Sequence, residues 1–178
     1  MEYRIRRALE EDVPGIAAVM EEAVRSMQRS EWFISDDETF IREHISEKGF
    51  TMVAEEEGEE SPETPAGFLI VKFPGLSEKN LGLTLGFTGE KLLKVAHMDS
   101  AAVLPRARGN RLQARLVRAA ERELLGSPYT LLMATVHPEN RFSLSNMREN
   151  GYQVMASVRR YGGLPRLVLL KDLEKAQP

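Results

Sequence analysis

The chain has 178 residues, 42% of them hydrophobic, and a formal net charge of -3, which suits one globular core and excludes an overall field that draws the protein to nucleic acid or membrane. It contains no cysteine, which excludes disulfides, thiolate metal ligands and a cysteine nucleophile and is typical of a reducing compartment. No apolar run reaches the roughly 18 residues of a membrane-spanning helix, and the N-terminal residues lack the apolar core of a signal peptide. We therefore expect one cytoplasmic domain over residues 1–178, without a metal site, a nucleic-acid partner or a membrane partner.

Hydrophobic periodicity and turn residues divide the chain into strands and helices. Asp12 is predicted to cap the first helix, and Gly49 and Gly151 to end two later ones. The glycine-rich segment 74–90 is typical of a binding loop. In chain order the predicted elements are a strand at 2–8, helices at 13–27 and 37–48, strands at 50–56, 66–73 and 91–103, a helix at 109–125, a strand at 129–136, a helix at 139–150 and strands at 152–161 and 166–173. This order predicts a layered α/β domain.

A strand end, a turn and a helix start follow one another in VLPRARGNRLQARL, residues 103–116. The first N–H groups of a helix lack an intrahelical partner and carry partial positive charge, so phosphates bind there. Gly109 lets the main chain approach a ligand, and Arg108 and Arg111 supply charge-assisted hydrogen bonds. The turn is therefore interpreted as a phosphate site; the alternative is that its arginines only solvate a helix face.

This stretch resembles the acyl-CoA-binding turn of the GNAT N-acetyltransferase superfamily, where a strand ending Val-x-Pro precedes Arg/Gln-x-x-Gly-x-Gly/Ala at a helix start. A second stretch, YTLLMATVHPENRFSLSNMRENGY, is similar to the family's next strand, Asn-x-x-Ala/Ser motif and Gly-Phe/Tyr helix end. The resemblance extends over nearly the whole chain. The positions matching the first motif are Arg108, Gly109, Asn110, Arg111, Leu112 and Gln113, and those matching the second are Asn140, Ser143, Gly151 and Tyr152.

The resemblance implies an α/β (α+β) fold, with a mixed, mostly antiparallel sheet of six to seven strands, helices on both faces, and splayed parallel strands four and five. It implies acetyl-CoA as cofactor, with the pantetheine arm between strands 91–103 and 129–136 and near the main chain of Ala101 and Val103. The pyrophosphate would lie on the amides of 108–113. The residues implied for the far arm or the thioester are Asn140, Ser143 and Asn146; for Asn140 the alternative is helix capping.

Two features depart from the family pattern. Arg111 and Gln113 stand where Gly and Gly/Ala usually let the pyrophosphate come close. Met147 stands where many members carry a tyrosine that protonates the departing thiolate, and a methionine cannot donate a proton. These departures keep open a non-catalytic acyl-CoA-binding sensor or regulatory module as the alternative to an enzyme.

The resemblance implies that an amine attacks the thioester carbonyl directly, and that amine must first lose a proton. His97 and Asp99 lie two residues apart on the predicted strand, so they share one face and are the candidate bases. The alternative for His97 is a hydrogen-bonded core residue, and for Asp99 the satisfaction of main-chain groups at the splay.

Trp32 and Phe33 are the candidate wall of the acceptor site, because relatives often build it from the segment between the first two helices. The alternative is a buried staple between those helices. We expect the acceptor to be a primary amine of a small molecule or peptide. A homodimer formed through the last strand pair, 152–172, is an open alternative to a monomer.

Overall fold

The computed structural model describes residues 2–58 and 64–175. The acidic segment 56–65, whose composition predicts a surface loop, lies partly outside the described residues. The strands of this part are β1 (Tyr3–Arg7), β2 (Gly49–Glu56), β3 (Gly67–Lys72), β4 (Val95–Val103), β5 (Leu131–Val136), β6 (Gln153–Arg160) and β7 (Leu164–Asp172). Its α-helices are α1 (Val13–Ser26), α2 (Glu38–Glu43), α3 (Glu90–Leu93), α4 (Leu112–Leu124) and α5 (Arg141–Glu149).

The strands form one mixed sheet in the order β1-β2-β3-β4-β5-β7-β6. Parallel pairing joins β4 to β5, and antiparallel pairing joins β1 to β2, β2 to β3, β5 to β7 and β7 to β6. The predicted fold class, with parallel strands four and five in a seven-stranded mixed sheet, is confirmed. Residues within the chain cluster into two compact units, 1–72 with 100–123 and 73–99 with 124–178; the single domain over 1–178 stays a prediction.

In the first unit, α1 and α2 cover one face of the strands. Val53, Phe68 and Ile70 form a buried cluster with apolar residues of α1, such as Ile16, and with Ile41 of α2. The alternation of strand side chains sends Met52 and Leu69 to the opposite face, where both are buried. On α4, Arg115 donates to the main-chain oxygen of Tyr3 in β1 at 2.7 Å. The Arg115 bond thus joins α4 to β1.

The predicted end of the second helix is wrong, and the reason lies in β2. α2 ends at Glu43, with His44 as its C-cap, and Gly49 is the first residue of β2 opposite Lys72. A Cβ built on Gly49 would lie 1.9 Å from the carbonyl oxygen of Val71. Gly49 is therefore required for close approach of β2 and β3 and not for a helix end.

In the second unit, β4, β5 and β7 share a core that includes Val95, Met133 and Val168, together with Leu81 from the predicted binding loop. That loop contains a 3-10 helix, Leu81–Leu85. The predicted strand at 91–103 is wrong at its start, because α3 occupies Glu90–Leu93.

Two details explain the ends of these elements. Gly89 adopts a φ of 54° before α3, a conformation that glycine tolerates best. Gly151 follows α5 and has a φ of 90°. Its N–H donates to the carbonyl of Arg148 at 2.9 Å, and the N–H of Tyr152 donates to the carbonyl of Met147 at 3.1 Å. This pair of bonds is a Schellman motif, so the predicted role of Gly151 is confirmed. None of the described helices combines the length and apolar character that crossing a membrane requires.

Candidate functional site

The turn between β4 and α4 contains two left-handed residues. After a 3-10 turn at Pro105–Ala107, Gly109 has φ 85° and Arg111 has φ 55°. α4 begins at Leu112, three residues later than the sequence predicts, because a left-handed residue cannot belong to a right-handed helix. Arg111 thus holds a conformation that glycine adopts far more easily, at the position where the resemblance implies a glycine.

The start of α4 presents main-chain donors. The N–H of Arg115 reaches the carbonyl of Arg111 at 3.0 Å and closes the first helical turn. The N–H groups of Leu112, Gln113 and Ala114 precede this bond, so they have no acceptor inside the helix. Their direction and the helix dipole make this end of α4 suited to an anion.

The arginines around the turn divide into structural and outward-facing ones. Arg106 forms an ion pair with Glu56 at 2.8 Å, and Arg115 binds the Tyr3 carbonyl. Arg108 donates to the hydroxyl of Ser26 at 2.9 Å and remains exposed, as does Arg111. Arg115 therefore does more than solvate a helix face, whereas Arg108 and Arg111 keep charge at the surface beside the amides.

The remaining residues of the motif shape or border the turn. The side-chain amide of Asn110 donates to the carbonyl of Ala107 at 3.0 Å, a bond that closes the turn on itself. Gln113 is half-buried in the first turn of α4. Ala101 and Val103 of β4 are half-buried just before the turn.

The parallel ladder between β4 and β5 is short. It comprises the pairs Val95↔Leu131, Ala96↔Leu132 and His97↔Met133, while β4 continues to Val103 and β5 to Val136. The ladder thus covers the first half of β5 only. An end to pairing at this point agrees with the expected divergence of the two strands.

His97 and Asp99 differ in surroundings although they share one face of β4. His97 is 4% exposed, and its Nε2 accepts the main-chain N–H of Leu81 at 3.0 Å. Asp99 is exposed and lies two residues beyond His97, the last residue of β4 in the ladder. Of the two candidate bases, Asp99 is therefore the one that solvent reaches more readily.

The residues implied on α5 have local roles as well. Asn140 is the N-cap and accepts the N–H of Ser143 at 3.2 Å, so its capping alternative is observed. The side-chain nitrogen of Asn146 is buried and has no hydrogen-bond partner within the described part of the chain. Met147 is 5% exposed, so the side chain at the position implied for the general acid is part of the core.

Trp32 and Phe33 end the 3-10 turn that follows α1, and both are half-buried. Phe33 packs against the core cluster of α1 and α2, which is the staple that the sequence left as an alternative. The residues implied for the site are divided between the two compact units. The first unit contains Trp32, Phe33, Ala101, Val103 and 108–113. The second contains His97, Asp99 and the residues of α5.

Sequence reasoning missed a polar cluster in the first unit. The hydroxyl of Ser100 donates to the carboxylate of Asp36 at 2.9 Å. Burial raises the pKa of Asp36, although the Ser100 bond and the charges of His44 and Lys72 act in the opposite direction. Burial also lowers the pKa of His44, against the effect of its bond to the Phe40 carbonyl. The signal available in the sequence was an acidic pair, Asp36 and Asp37, directly after the predicted acceptor segment.

Comparison with known proteins identifies the class. Residues 16–152 match the family model described as Acetyltransferase (GNAT) family. The chain therefore belongs to the GNAT acetyltransferase family, and the resemblance drawn from the two motifs is confirmed. No curated protein matches the chain in sequence.

Solved structures share the fold at low identity. The NatC complex bound to Gag peptide and CoA contains a chain with a TM-score of 0.72 and 16% identity, over 97% of this chain and 99% of that one. The yncA protein from Salmonella typhimurium with its cofactor acetyl-CoA gives 0.70 and 16%, over 100% and 98%. Ribosomal-protein-alanine N-acetyltransferase from Brucella melitensis gives 0.68 and 20%, over 96% and 99%.

Proposed function

We propose that this chain is an acetyl-CoA-dependent N-acetyltransferase that acetylates a primary amine of a small molecule or peptide by direct attack. The observation that carries the proposal is the turn before α4, where Gly109 and Arg111 are both left-handed and the amides of the first helical turn follow. Two proteins of the same fold, yncA and the NatC complex, are described with acetyl-CoA and with CoA respectively.

The turn fits a pyrophosphate despite its departures from the family pattern. Arg111 has the φ that a glycine would take, so the main chain runs as a glycine-containing turn would and its amides keep their direction. A Cβ on Gly109 would meet nothing within 4 Å, so this glycine serves the conformation and leaves open space beside the turn. We assign the diphosphate to the amides of 108–113, which include the free helix-start donors of Leu112 and Gln113, with the side chains of Arg108 and Arg111 adding charge-assisted hydrogen bonds.

The pantetheine arm is assigned to the main chain of β4 near Ala101 and Val103. Both residues lie past the last pair of the β4–β5 ladder, His97↔Met133, and a strand edge whose pairing has ended offers regular N–H and C=O groups to an extended ligand. For α5 we propose that Asn140, Ser143 and Asn146 contact the cofactor. The buried, unpartnered side-chain nitrogen of Asn146 supports this, because such a donor gains most from an added acceptor.

Acetyl-CoA supplies an activated acetyl thioester. The acceptor nitrogen attacks the carbonyl carbon, a C–N bond forms as the C–S bond breaks, and the nitrogen must release one proton. Asp99 is assigned to take that proton directly or through water, because it is exposed on β4. His97 is the second candidate; its Nε2 would first have to give up the Leu81 N–H. The departing thiolate takes its proton from water, since Met147 has none to donate.

Trp32 and Phe33 are assigned to the acceptor side. Phe33 anchors the segment after α1 in the core, which fixes the position of the residues that follow it. A rigid anchor of this kind is what a substrate-positioning loop requires.

The test has two stages. Calorimetry with acetyl-CoA should show binding, and a panel of primary amines should then release CoA, detected with a thiol reagent. No binding at millimolar acetyl-CoA excludes both the enzyme and the module interpretation. Binding without CoA release across the panel supports the non-catalytic acyl-CoA-binding module, which the buried Met147 and the engaged His97 favour as the second candidate.

A further inference from the structure

We propose that Arg160 and the hydroxyl of Tyr161 bind a carboxylate of the acceptor, so that the preferred acceptors are amino acids, which carry the amine and the carboxylate in one small molecule. This inference rests on the proposed N-acetyltransferase function and names the class of amine. Every residue that carries it lies in the second compact unit, 73–99 with 124–178. The group of Thr135, Arg160, Tyr161 and Arg166 is called the Tyr161 cluster.

The turn between β6 and β7 is wound in the left-handed region. Tyr161, Gly162 and Gly163 have φ values of 53°, 79° and 98°. Glycine adopts such values freely, whereas a tyrosine does so at a cost in free energy. Side chains that are held in a costly conformation by their surroundings occur often at ligand sites. The contacts of Tyr161 therefore decide whether it does more than close the turn.

Two contacts fix the ring of Tyr161 over the sheet. Its hydroxyl lies 3.2 Å from Oγ1 of Thr135 in β5, and the guanidinium carbon of Arg166 in β7 lies 5.3 Å from the ring centroid. Arg166 is 2% exposed and donates to the carbonyl of Pro165 at 2.8 Å, so it is a fixed support. The ring thus turns back from the hairpin tip toward β5, while Tyr161 stays 47% exposed and open to a ligand.

Strand register puts the Tyr161 hydroxyl on the face of the sheet that carries Asp99. His97 pairs with Met133 in the β4–β5 ladder, and Asp99 and Thr135, each two residues further along its strand, leave the same face. Paired strands lie about 4.8 Å apart, and β4 and β5 are no longer paired at this level. The hydroxyl bonded to Thr135 is therefore in the strand next to the assigned base, and both Asp99 and Tyr161 are exposed.

Arg160 supplies the positive charge of the cluster. Its half-buried guanidinium donates to the carbonyl of Lys79 at 3.3 Å, and its central carbon lies 5.9 Å from the Tyr161 ring centroid. Within residues 2–58 and 64–175 it forms no ion pair with a carboxylate. The stretch around it, RRYGGLPR at 159–166, contains three arginines and no acidic residue. Most of the five N–H donors of Arg160 are therefore left for a ligand.

A carboxylate complements Arg160 and the Tyr161 hydroxyl together. Its two oxygens accept from a planar guanidinium and from a hydroxyl at once. Two hydrogen bonds of about 2.8 Å and the carboxylate between them span on the order of 8 Å, which exceeds the 5.9 Å from the guanidinium carbon to the ring centroid. The amine of the same molecule then lies toward Asp99, so a short amino acid presents both of its groups to one face of the sheet.

The test compares amino acids with their primary amides as acceptors at saturating acetyl-CoA. The panel contains α-amino acids and 4-aminobutanoate, each with its amide, which keeps the amine and the size but lacks the negative charge. For the unaltered protein we expect kcat/KM to be at least about tenfold higher for the carboxylate member of the preferred pair, the effect of a charge-assisted contact. Arg160→Gln should remove this preference by raising the KM for the carboxylate member about tenfold, with the KM for the amide unchanged.

Arg159→Gln is the matched control. Arg159 precedes Arg160 in β6, so its side chain leaves the opposite face of the strand; it is exposed and donates to the carbonyl of Gly163 at 2.9 Å. The control makes the same change of charge one residue away, so its preference for the carboxylate should equal that of the unaltered protein.

Two milder variants keep the test decisive if Arg160→Gln does not fold. Arg160→Lys keeps the charge but loses the planar fork of donors, so the preference should decrease without disappearing. Tyr161→Phe keeps the ring beside Arg166 and removes the hydroxyl, so the KM should rise for the carboxylate member and not for the amide. If neither variant changes the preference, the Tyr161 cluster does not bind the acceptor.

Calorimetry with acetyl-CoA separates an acceptor carboxylate from a cofactor phosphate as the anion at Arg160. The affinity for acetyl-CoA should be the same in Arg160→Gln as in the unaltered protein. An affinity lowered about tenfold would assign Arg160 to a phosphate of the cofactor and overturn the inference.

The remaining outcomes are distinguishable from failure of the proposed function. Release of CoA by no amine of this panel or of a wider one overturns the N-acetyltransferase assignment and the acceptor class with it. Equal kcat/KM within each pair, turnover confined to amines without a carboxylate, or a preference that survives Arg160→Gln overturns the role of Arg160 and leaves the enzyme assignment standing. An equal loss of preference in Arg159→Gln would show that general positive charge, and not the Tyr161 cluster, selects the acceptor.

Discussion

The main-chain N–H of Leu81 donates to Nε2 of His97 at 3.0 Å. This bond uses the lone pair that a general base would offer, and it ties β4 to the 3-10 helix that begins at Leu81. Loss of the acceptor would leave a buried N–H unsatisfied, which costs about 1–3 kcal/mol. His97 therefore has a structural reason to be present, independent of any chemistry.

The first prediction separates the two candidate bases by their pH–rate profiles. Asp99→Asn should lower kcat by about 10²–10⁴, the usual range for a lost general base, and should remove the rising acid limb of kcat/KM. His97→Gln should retain that limb, because the glutamine carbonyl can accept from Leu81. A rising limb preserved in both variants removes both residues as bases, and loss of it only in His97→Gln reverses the assignment.

The second prediction concerns the left-handed arginine before α4. Arg111→Glu should weaken CoA binding by about tenfold or more in calorimetry, since a charge-assisted hydrogen bond contributes about 1.5–3 kcal/mol and the replacement repels phosphate. Arg111→Gly relieves a left-handed conformation that costs about 1–2 kcal/mol and loses only the side-chain contact. We expect it to bind more tightly than Arg111→Glu and to unfold no earlier than the unaltered protein.

Arg122→Glu is the matched control for this series, because it makes the same charge change at an exposed position in the last turn of α4. Its CoA affinity should remain within about twofold of the unaltered value. If Arg122→Glu weakened CoA binding as much as Arg111→Glu does, the effect would come from long-range charge, and Arg111 would not be part of the site.

The order of the strands and of every helix except α3 was predictable, because each depends on neighbouring residues. Periodicity located β2, β3 and β5, and Gly151 marked the end of α5. Features set by distant partners were not predictable. Ser100 meets Asp36 across 64 positions, and no local pattern encodes such a contact. The left-handed φ of Arg111 was hidden for another reason, because an arginine side chain gives no local signal of it.

The third prediction concerns Gly49, which the sequence predicts at a helix end but which lies in β2. Gly49→Ala should destabilise the protein by about 2–3 kcal/mol in chemical denaturation, because its Cβ would lie 1.9 Å from the carbonyl oxygen of Val71 and β2 would have to move. Gly126→Ala is the comparison: its φ of 78° is strained for alanine, but its Cβ meets nothing within 4 Å. That variant should cost only about 1–2 kcal/mol. Equal losses would mean that β2 and β3 accommodate the methyl group.

The fourth prediction concerns stability against pH through His44. Its pKa is lowered from 6.5 mainly by burial, so below that pH the unfolded chain binds a proton that the folded protein does not. Stability from this group is complete above pH 6.5 and falls as the pH falls toward the folded pKa. Asp36 acts with the opposite sign, because its pKa is raised from 3.8 in the folded protein, so its contribution to stability grows as the pH falls from that folded pKa toward 3.8.

His44→Asn isolates the effect, since its side-chain amide can still donate to the Phe40 carbonyl and does not titrate. The free energy of unfolding, measured by denaturant at about pH 7 and about pH 5, should decrease less in this variant than in the unaltered protein. Phe40→Leu provides the packing control: it removes the ring stacked on His44 at 4.1 Å but keeps the imidazole, so stability should drop at both pH values while the pH dependence persists. The same pH dependence in His44→Asn as in the unaltered protein would show that the imidazole is protonated in the fold and that its burial does not suppress the charge.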